Sequence, residues 1–302
     1  MALVKMTELL DAAREENYAV GSFSIANMEM VKGALKAAEE MHSPMILQIA
    51  EVRLTNSPLE LIGPLMVSAA KNAKVPVAVH FDHGLTLENI EKALKIGFTS
   101  VMIDGSHLSF DENVKITKRV KELADKYGAA IEAEIGQVGG SEDGSEDIKM
   151  KVTNVEDAKR FVQETKVDAL AVAIGNAHGV YKGTPKLRFD VLENLRENIE
   201  TPLVLHGGSG ITPEDFKECK NKGIRKINIA TATFNSVEES VRKLYVDNEK
   251  KDYFTLQATE VQGAYENVKK HMDIFDRPVR RALSTTFSTG SAGTACRRNS
   301  RR

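Results

Sequence analysis

Residues 75–84 read "VPVAVHFDHG" and the next ten read "LTLENIEKAL". The first stretch sets Val75, Val77, Val79 and Phe81 in a β-type run that ends in Asp82, His83 and Gly84. The second has the apolar spacing of a helix, with Thr86 placed to cap its first turn. A buried strand, a polar end, a tight turn and a helix make one β/α unit.

The unit recurs along the chain. Further β-rich runs are "YAVGSFSI" (18–25), "MILQIA" (45–50), "SVMIDG" (100–105), "AIEAEIG" (130–136), "ALAVAIG" (169–175), "PLVLHG" (202–207) and "KINIAT" (226–231). Helical patterns lie between them. Residues 28–42 put Met28, Val31, Leu35 and Ala38 on one face, and residues 111–127 do the same with Val114, Thr117, Val120, Leu123 and Ala124. Asp111, Asn154 and Thr212 stand where helix caps belong. Eight strands alternating with helices predict an α/β fold of one domain, a closed (β/α)8 TIM barrel over residues 1–275; a doubly wound open sheet is the alternative. A barrel carries its active site at the C-terminal ends of its strands. Polar groups gather there: Asp82, His83, Asp104, Glu132, Glu134, His178, His206, Asn228 and Thr231.

Composition narrows the functional class. The chain is 42% hydrophobic and 28% charged, which supplies a sizeable core for a soluble protein. It has no apolar run long enough to span a membrane, and its acidic, amphipathic N-terminus does not read as a signal or transit peptide. Two cysteines, Cys219 and Cys296, offer neither a disulfide framework nor a cysteine metal cluster, so a cytoplasmic location is expected. Residues 276–302 hold seven Arg against one Asp, a net +6 that leaves −8 on residues 1–275. The body is therefore not expected to bind nucleic acid, and the basic, Ser/Thr/Gly-rich end is expected to be disordered.

Three histidines share one context: His83-Gly84, His178-Gly179 and His206-Gly207, each after an apolar strand. Three neutral imidazoles suit Zn2+ and leave a coordination position for substrate. His80 lies two residues before Asp82, inside the strand, and reads as a supporting residue. Asp82 is placed to transfer protons to a metal-bound substrate. Glu132 and Glu134 alternate on one strand face, with Asp104 on the neighbouring strand; they form either a satisfied ion-pair network or an auxiliary cation site. The amides of Gly207, Gly208 and Ser209, with the Ser209 and Thr231 hydroxyls, would cradle a phosphate after the seventh and eighth strands. The acidic, glycine-rich stretch 136–147 has the composition of a lid that would carry Glu142 inward. Such a site suits proton removal beside a carbonyl, in isomerisation or aldol cleavage. Lys226 begins the last β-rich run, and no lysine is expected where a Schiff base would need one.

"HFDHG", "VMIDGSH", "EAEIGQVGG", "AIGNAHGVY", "PLVLHGGSGI" and "KINIAT" resemble, in order, the class II zinc-dependent fructose-bisphosphate and tagatose-bisphosphate aldolases, from about residue 1 to 275. The resemblance implies a homodimer or homotetramer with Asp82 as catalytic acid/base and His83, His178 and His206 as zinc ligands. It further implies a second divalent metal at Asp104 and Glu134, and a proton-handling role for Glu142. Dihydroxyacetone phosphate contacts would come from Gly179, Gly207, Gly208, Ser209, Asn228, Ile229, Ala230 and Thr231, with a monovalent cation (Na+ or K+) near the phosphate. Ala230 stands where many fructose-type members have Asp, and Ala50 where they often have Ser. The sugar therefore stays open among fructose, tagatose and modified or deoxy ketose phosphates. A zinc-dependent isomerase or epimerase and a non-catalytic sugar-phosphate-binding barrel are the other readings.

Overall fold

The computed structural model describes residues 2–140, 149–179, 181, 183, 185–246 and 252–275. The basic segment 276–302 and Glu142 lie outside them. Eight parallel strands follow chain order around a closed barrel: β1 (Val20–Ser24), β2 (Met45–Ala50), β3 (Val77–Gly84), β4 (Ser100–Ile103), β5 (Ala130–Ile135), β6 (Ala169–Val172), β7 (Leu203–Leu205) and β8 (Ile224–Ile229). Pairing of Val20 with Lys226 and Ser22 with Asn228 joins β8 back to β1, so the open-sheet alternative is excluded. β6 and β7 are shorter than their apolar runs because Gly175 (φ 101°) and Gly207 (φ 63°) turn the chain out of the ladder.

The helices are α1 (Met6–Glu16), α2 (Met28–Met41), α3 (Leu59–Asn72), α4 (Leu87–Ile96), α5 (Phe110–Tyr127), α6 (Val155–Thr165), α7 (Phe189–Asn198), α8 (Pro213–Asn221), α9 (Thr231–Val246) and α10 (Tyr253–Ile274). Thr86, Asn154 and Thr212 cap α4, α6 and α8 as expected. Asp111 does not cap α5: Ser109 does, in a reciprocal pair with Glu112, and Asp111 falls inside the first turn. The predicted face of α2 is also shifted. Met28 is exposed and Leu35 only partly buried, whereas Met30, Val31, Gly33, Ala34, Ala37, Ala38 and Met41 are buried. The reason is that α10 packs on α2 from outside, so α2 is covered on two sides. At Gly33 the backbones come so close that a Cβ would strike the Val261 carbonyl and Ala264.

Two apolar clusters divide the molecule. The larger fills the space between the barrel's outer face and the helices, with Phe23, Leu47, Val79, Phe81, Ile131, Leu205 and Ile227 among its strand residues. The smaller lies within the barrel, where Ile46, Ala78, Met102, Ala130, Ala169, Ala171 and Val204 meet Met6, Leu9, Leu10 and Ala13 of α1. Helix α1 thus plugs the N-terminal mouth, and the polar interior is left to the opposite end. No helix among the described residues is long and apolar enough to cross a membrane.

Candidate active site

Strict alternation along β3 would send Asp82 and His83 to opposite faces. The chain breaks the rule here: the register with β4 shifts between Phe81 and Gly84, and His83 takes φ 42°, a left-handed conformation rare for a side chain with a Cβ. Both residues are buried at the same end of the barrel. A strained backbone of this kind costs on the order of 1–3 kcal/mol and marks a site where the surrounding structure dictates the conformation.

His83, His178 and His206 converge, each offering a ring nitrogen within 4.8 Å of the others'. Their ring centroids are 4.6–5.8 Å apart. His178 sits on the loop beyond β6 rather than at the strand's end, as the apolar run had suggested. Its amide donates to the Gly139 carbonyl at 2.7 Å, which pins that loop to the one after β5.

The hydrogen bonds fix which nitrogens face the centre. His206 Nε2 lies 2.7 Å from Glu132 Oε1, and His83 Nδ1 lies 2.8 Å from Asp104 Oδ2. With each carboxylate accepting a proton bond, the lone pairs remain on His206 Nδ1 and His83 Nε2, which face each other at 2.8 Å. Two lone pairs do not hold that separation unless a cation or a proton lies between them. Burial depresses the His206 imidazole well below its ordinary range and brings His178 down to about 3, with neighbouring imidazole charge adding to both. His178 and His206 are therefore held neutral, as metal ligands must be, and the donor set of the three histidines fits Zn2+ with a position for substrate.

A second group joins His83 to Asp104 and Glu134. Burial acts to raise the Asp104 carboxyl, but the hydrogen bond and charge of His83 outweigh it and hold it well below the carboxylate range. Glu134, buried and beside the Asp104 charge, is pushed up to about 8. Its Oε1 accepts the Val138 amide at 3.0 Å. An unequal pair of this sort would share a divalent cation more readily than it holds two negative charges.

His80, Asp82 and Glu132 form a third cluster, but here the cation is already present. Lys226 Nζ sits 2.8 Å from Glu132 Oε2 and 2.7 Å from Asn228 Oδ1, fully buried. The expectation for this lysine needs correcting. β8 starts at Ile224, so Lys226 lies within the strand and reaches the barrel's interior. Held between a carboxylate and an amide oxygen, it serves as a counter-ion rather than an amine nucleophile. Asn228 Nδ2 in turn donates to Asp82 Oδ1 at 3.1 Å, and Gln48 Nε2 donates to Asp82 Oδ2 at 3.0 Å. Gln48 is itself oriented by Ser22 and by Ser24, the latter at 3.1 Å. Asp82 is thus aimed by two amides. His80 bonds Ser100 through Nδ1 at 2.8 Å, and its Nε2 stands 3.7 Å from Asp82 and 3.8 Å from Glu132.

Gln48 and Asn176 escape notice in the sequence, and Lys226 is weighed there only as a Schiff-base lysine. Gln48 and Lys226 carried one signal, a polar residue inside an apolar strand. Asn176 ties two loops together: Oδ1 accepts the Ile174 amide at 2.7 Å and Nδ2 donates to the His206 carbonyl at 3.0 Å.

The glycine loop after β7 lies against the start of α9. Ser209 Oγ accepts the Ala232 amide at 2.9 Å, in the first turn of the helix that Thr231 begins. A helix N-terminus and a tight loop make a ready anion cradle. A Cβ on Gly207 would strike the Ala177 carbonyl, and the Tyr181 hydroxyl donates to the Gly207 carbonyl at 2.8 Å, so the loops after β6 and β7 are fastened together. The Gly208 amide differs from expectation: it donates to the Asn228 carbonyl at 3.1 Å and ties strand ends rather than pointing at a ligand. Gly179 (φ 80°) follows His178, while Ile229 and Ala230 are buried at the end of β8.

Known proteins share this architecture. The sequence model of the family "Fructose-bisphosphate aldolase class-II" matches residues 4–278. The sulfofructosephosphate aldolase of Alkalicoccus urumqiensis is 40% identical over 250 residues, 82% of this chain and 87% of that one. The probable fructose-bisphosphate aldolase of Bacillus subtilis (strain 168) is 42% identical over 248 residues, 80% of this chain and 86% of that one. The crystal structure of the YdjI aldolase from Escherichia coli K12 superposes with a TM-score of 0.82 at 32% identity, covering 92% of this chain and 99% of its own. A closed parallel barrel with this histidine and carboxylate constellation, matched over nearly its whole length, belongs to the class II fructose-bisphosphate aldolase family.

Proposed function

We propose that the protein is a zinc-dependent aldolase that cleaves a ketose phosphate reversibly to dihydroxyacetone phosphate and an aldehyde. The observation that carries this reading is the pair of ring nitrogens from His83 and His206 facing each other at 2.8 Å beside His178, with Asp82 held next to them. His83, His178 and His206 would hold the zinc, and Asp104 and Glu134 with His83 a second divalent ion. Zinc bound there supplies a Lewis acid for the charge that develops on the substrate's carbonyl oxygen.

The chain's own groups do the rest. The Gly207–Ser209 loop and the first turn of α9 anchor the phosphate, which orients the three-carbon half. The Asp82 carboxylate takes the proton from the C4 hydroxyl as the C3–C4 bond breaks, and returns it to the aldehyde oxygen in the condensation direction. Gln48 and Asn228 keep its oxygens aimed at that hydroxyl. Glu132 keeps the His206 proton on Nε2, and Lys226 balances the Glu132 charge inside the barrel. Glu142, outside the described residues, is assigned the proton of the three-carbon unit. A cytoplasmic homodimer or larger assembly, with a monovalent cation beside the phosphate, completes the proposal.

The relatives' names include both a sulfofructosephosphate and a fructose-bisphosphate aldolase at nearly equal identity, so the aldehyde half is left to experiment. A cleavage panel of fructose 1,6-bisphosphate, tagatose 1,6-bisphosphate and sulfofructose phosphate, run with zinc and with chelator, identifies it. Activity should vanish on chelation and return with zinc, and borohydride should trap no adduct. Cleavage that survives thorough chelator dialysis sinks the proposal. Metal analysis gives a second check: His178→Ala should lose zinc and His80→Ala should keep it.

A further inference from the structure

At the opposite end of the barrel from the histidines, a cavity of about 440 Å³ is lined by Arg14, Arg196 and Arg225, together with Glu200 and the backbone around Pro202 and Gly223. Its size lies within the range of small-molecule sites. Arg14 belongs to the last turn of α1, Arg196 to that of α7, and Arg225 to the start of β8.

Arg225 is the unusual member, with only 6% of its surface exposed. Its guanidinium donates to the Lys220 and Ile224 carbonyls at 2.7 and 2.8 Å and to Asn17 Oδ1 at 3.3 Å. Its Nε is buried with no hydrogen-bond partner among the described residues. Every acceptor it has is neutral. A buried cation without a carboxylate is costly, and the like charges of Arg196 and Arg14 beside it add to that cost. Among the described residues, Arg14 has one ion pair, an exposed contact with Asp11 at 3.6 Å. Among the described residues, Glu200 makes no ion pair with any of the three arginines. The cavity therefore gathers three guanidinium groups against one carboxylate, an excess of positive charge.

We infer that this cavity is a second anion site, distinct from the catalytic face, which takes a phosphate or diphosphate group. Guanidinium groups recognise such oxyanions through paired N–H bonds, and three of them around one opening suit a group with several charged oxygens better than a carboxylate. An anion there would join α1, which plugs the N-terminal mouth, to α7 and the start of β8. The inference does not depend on the reaction run at the other end.

The test uses inorganic phosphate and pyrophosphate as probes, titrated calorimetrically into the zinc-loaded protein at matched ionic strength. Wild type should show one binding event beyond that of the catalytic phosphate cradle. The double variant Arg14→Gln/Arg196→Gln, altered only at exposed positions, should weaken that event at least ten-fold. Its cleavage kinetics without added anion should match wild type. Tighter binding of pyrophosphate would identify a diphosphate group as the preferred ligand, and equal binding a single phosphate. A variant titration that superimposes on the wild-type one, or the absence of a second event in wild type, overturns the site.

Discussion

Lys226 shows how much a single buried residue does here. Its ammonium touches Glu132 and Asn228, and those two residues in turn hold His206 and Asp82. Lys226→Met keeps the volume but leaves the Glu132 charge uncompensated inside the barrel. Removing one partner of a buried pair costs about 3–5 kcal/mol, so the variant should unfold at markedly lower denaturant. In the folded protein Asn228 Oδ1 would lose its donor and Asp82 its alignment. The turnover number should fall more than ten-fold with KM nearly unchanged, as for a proton-transfer group that loses its aim. Steady-state kinetics beside urea titration separates the two effects, and a rise in KM alone would contradict this account. The residue-level signals in the sequence were uneven for a physical reason. His83, His178 and His206 announced themselves because each is followed by a glycine, which a turn requires at Gly179 and Gly207 and a close approach to the Met102 carbonyl requires at Gly84. Lys226 did not, because the partner that makes it meaningful, Glu132, is brought to it only by barrel closure. Likewise, nothing local to "HFDHG" tells that His83 adopts a left-handed conformation and joins Asp82 on one face.

Among the elements, α10 is the one whose role the sequence hid most. The strand runs were readable because apolar runs and their polar ends are local. The second buried side of α2 was not, since the helix that covers it comes more than 200 residues later. α10 also docks through a histidine. His271 is buried among Phe23, Phe216 and Phe275, its Nδ1 2.8 Å from the Asn267 carbonyl. Burial brings its imidazole down to about 4. The unfolded chain would bind that proton near pH 6.5, so the unfolded state holds more protons between pH 6.5 and 4. Stability from this group is thus complete above about pH 6.5 and is lost as pH falls toward 4, by on the order of 3 kcal/mol. Urea unfolding of wild type and His271→Gln at pH 7.5 and pH 4.5, both metal-free, isolates the effect. The variant should be less stable at pH 7.5, through lost packing, and should lose less than wild type on acidification. Equal acid losses would show that His271 does not titrate on unfolding.

At the scale of the whole molecule, the barrel separates stability from chemistry along its axis. One mouth is filled by apolar side chains of α1 against small strand residues, Ala78, Ala130, Ala169 and Ala171. The other holds the buried histidines and carboxylates of the candidate site, whose burial is costly and which lie around the buried Lys226. A closed ring of strands makes these ends mechanically continuous but keeps their side chains apart, so damage to one should reach the other only through global unfolding. Leu10 tests this division. It is fully buried in the plug, and Leu10→Ala removes its packing from a site with few ways to collapse, at about 2–5 kcal/mol. The urea midpoint should fall accordingly, while zinc content, kcat and KM at 25 °C remain at wild-type values, because the folded fraction still exceeds the unfolded one by orders of magnitude in a domain with ordinary stability. Loss of zinc or of turnover in the folded variant would mean that the plug shapes the catalytic mouth through the strands, and that the two ends of this barrel are coupled rather than merely joined.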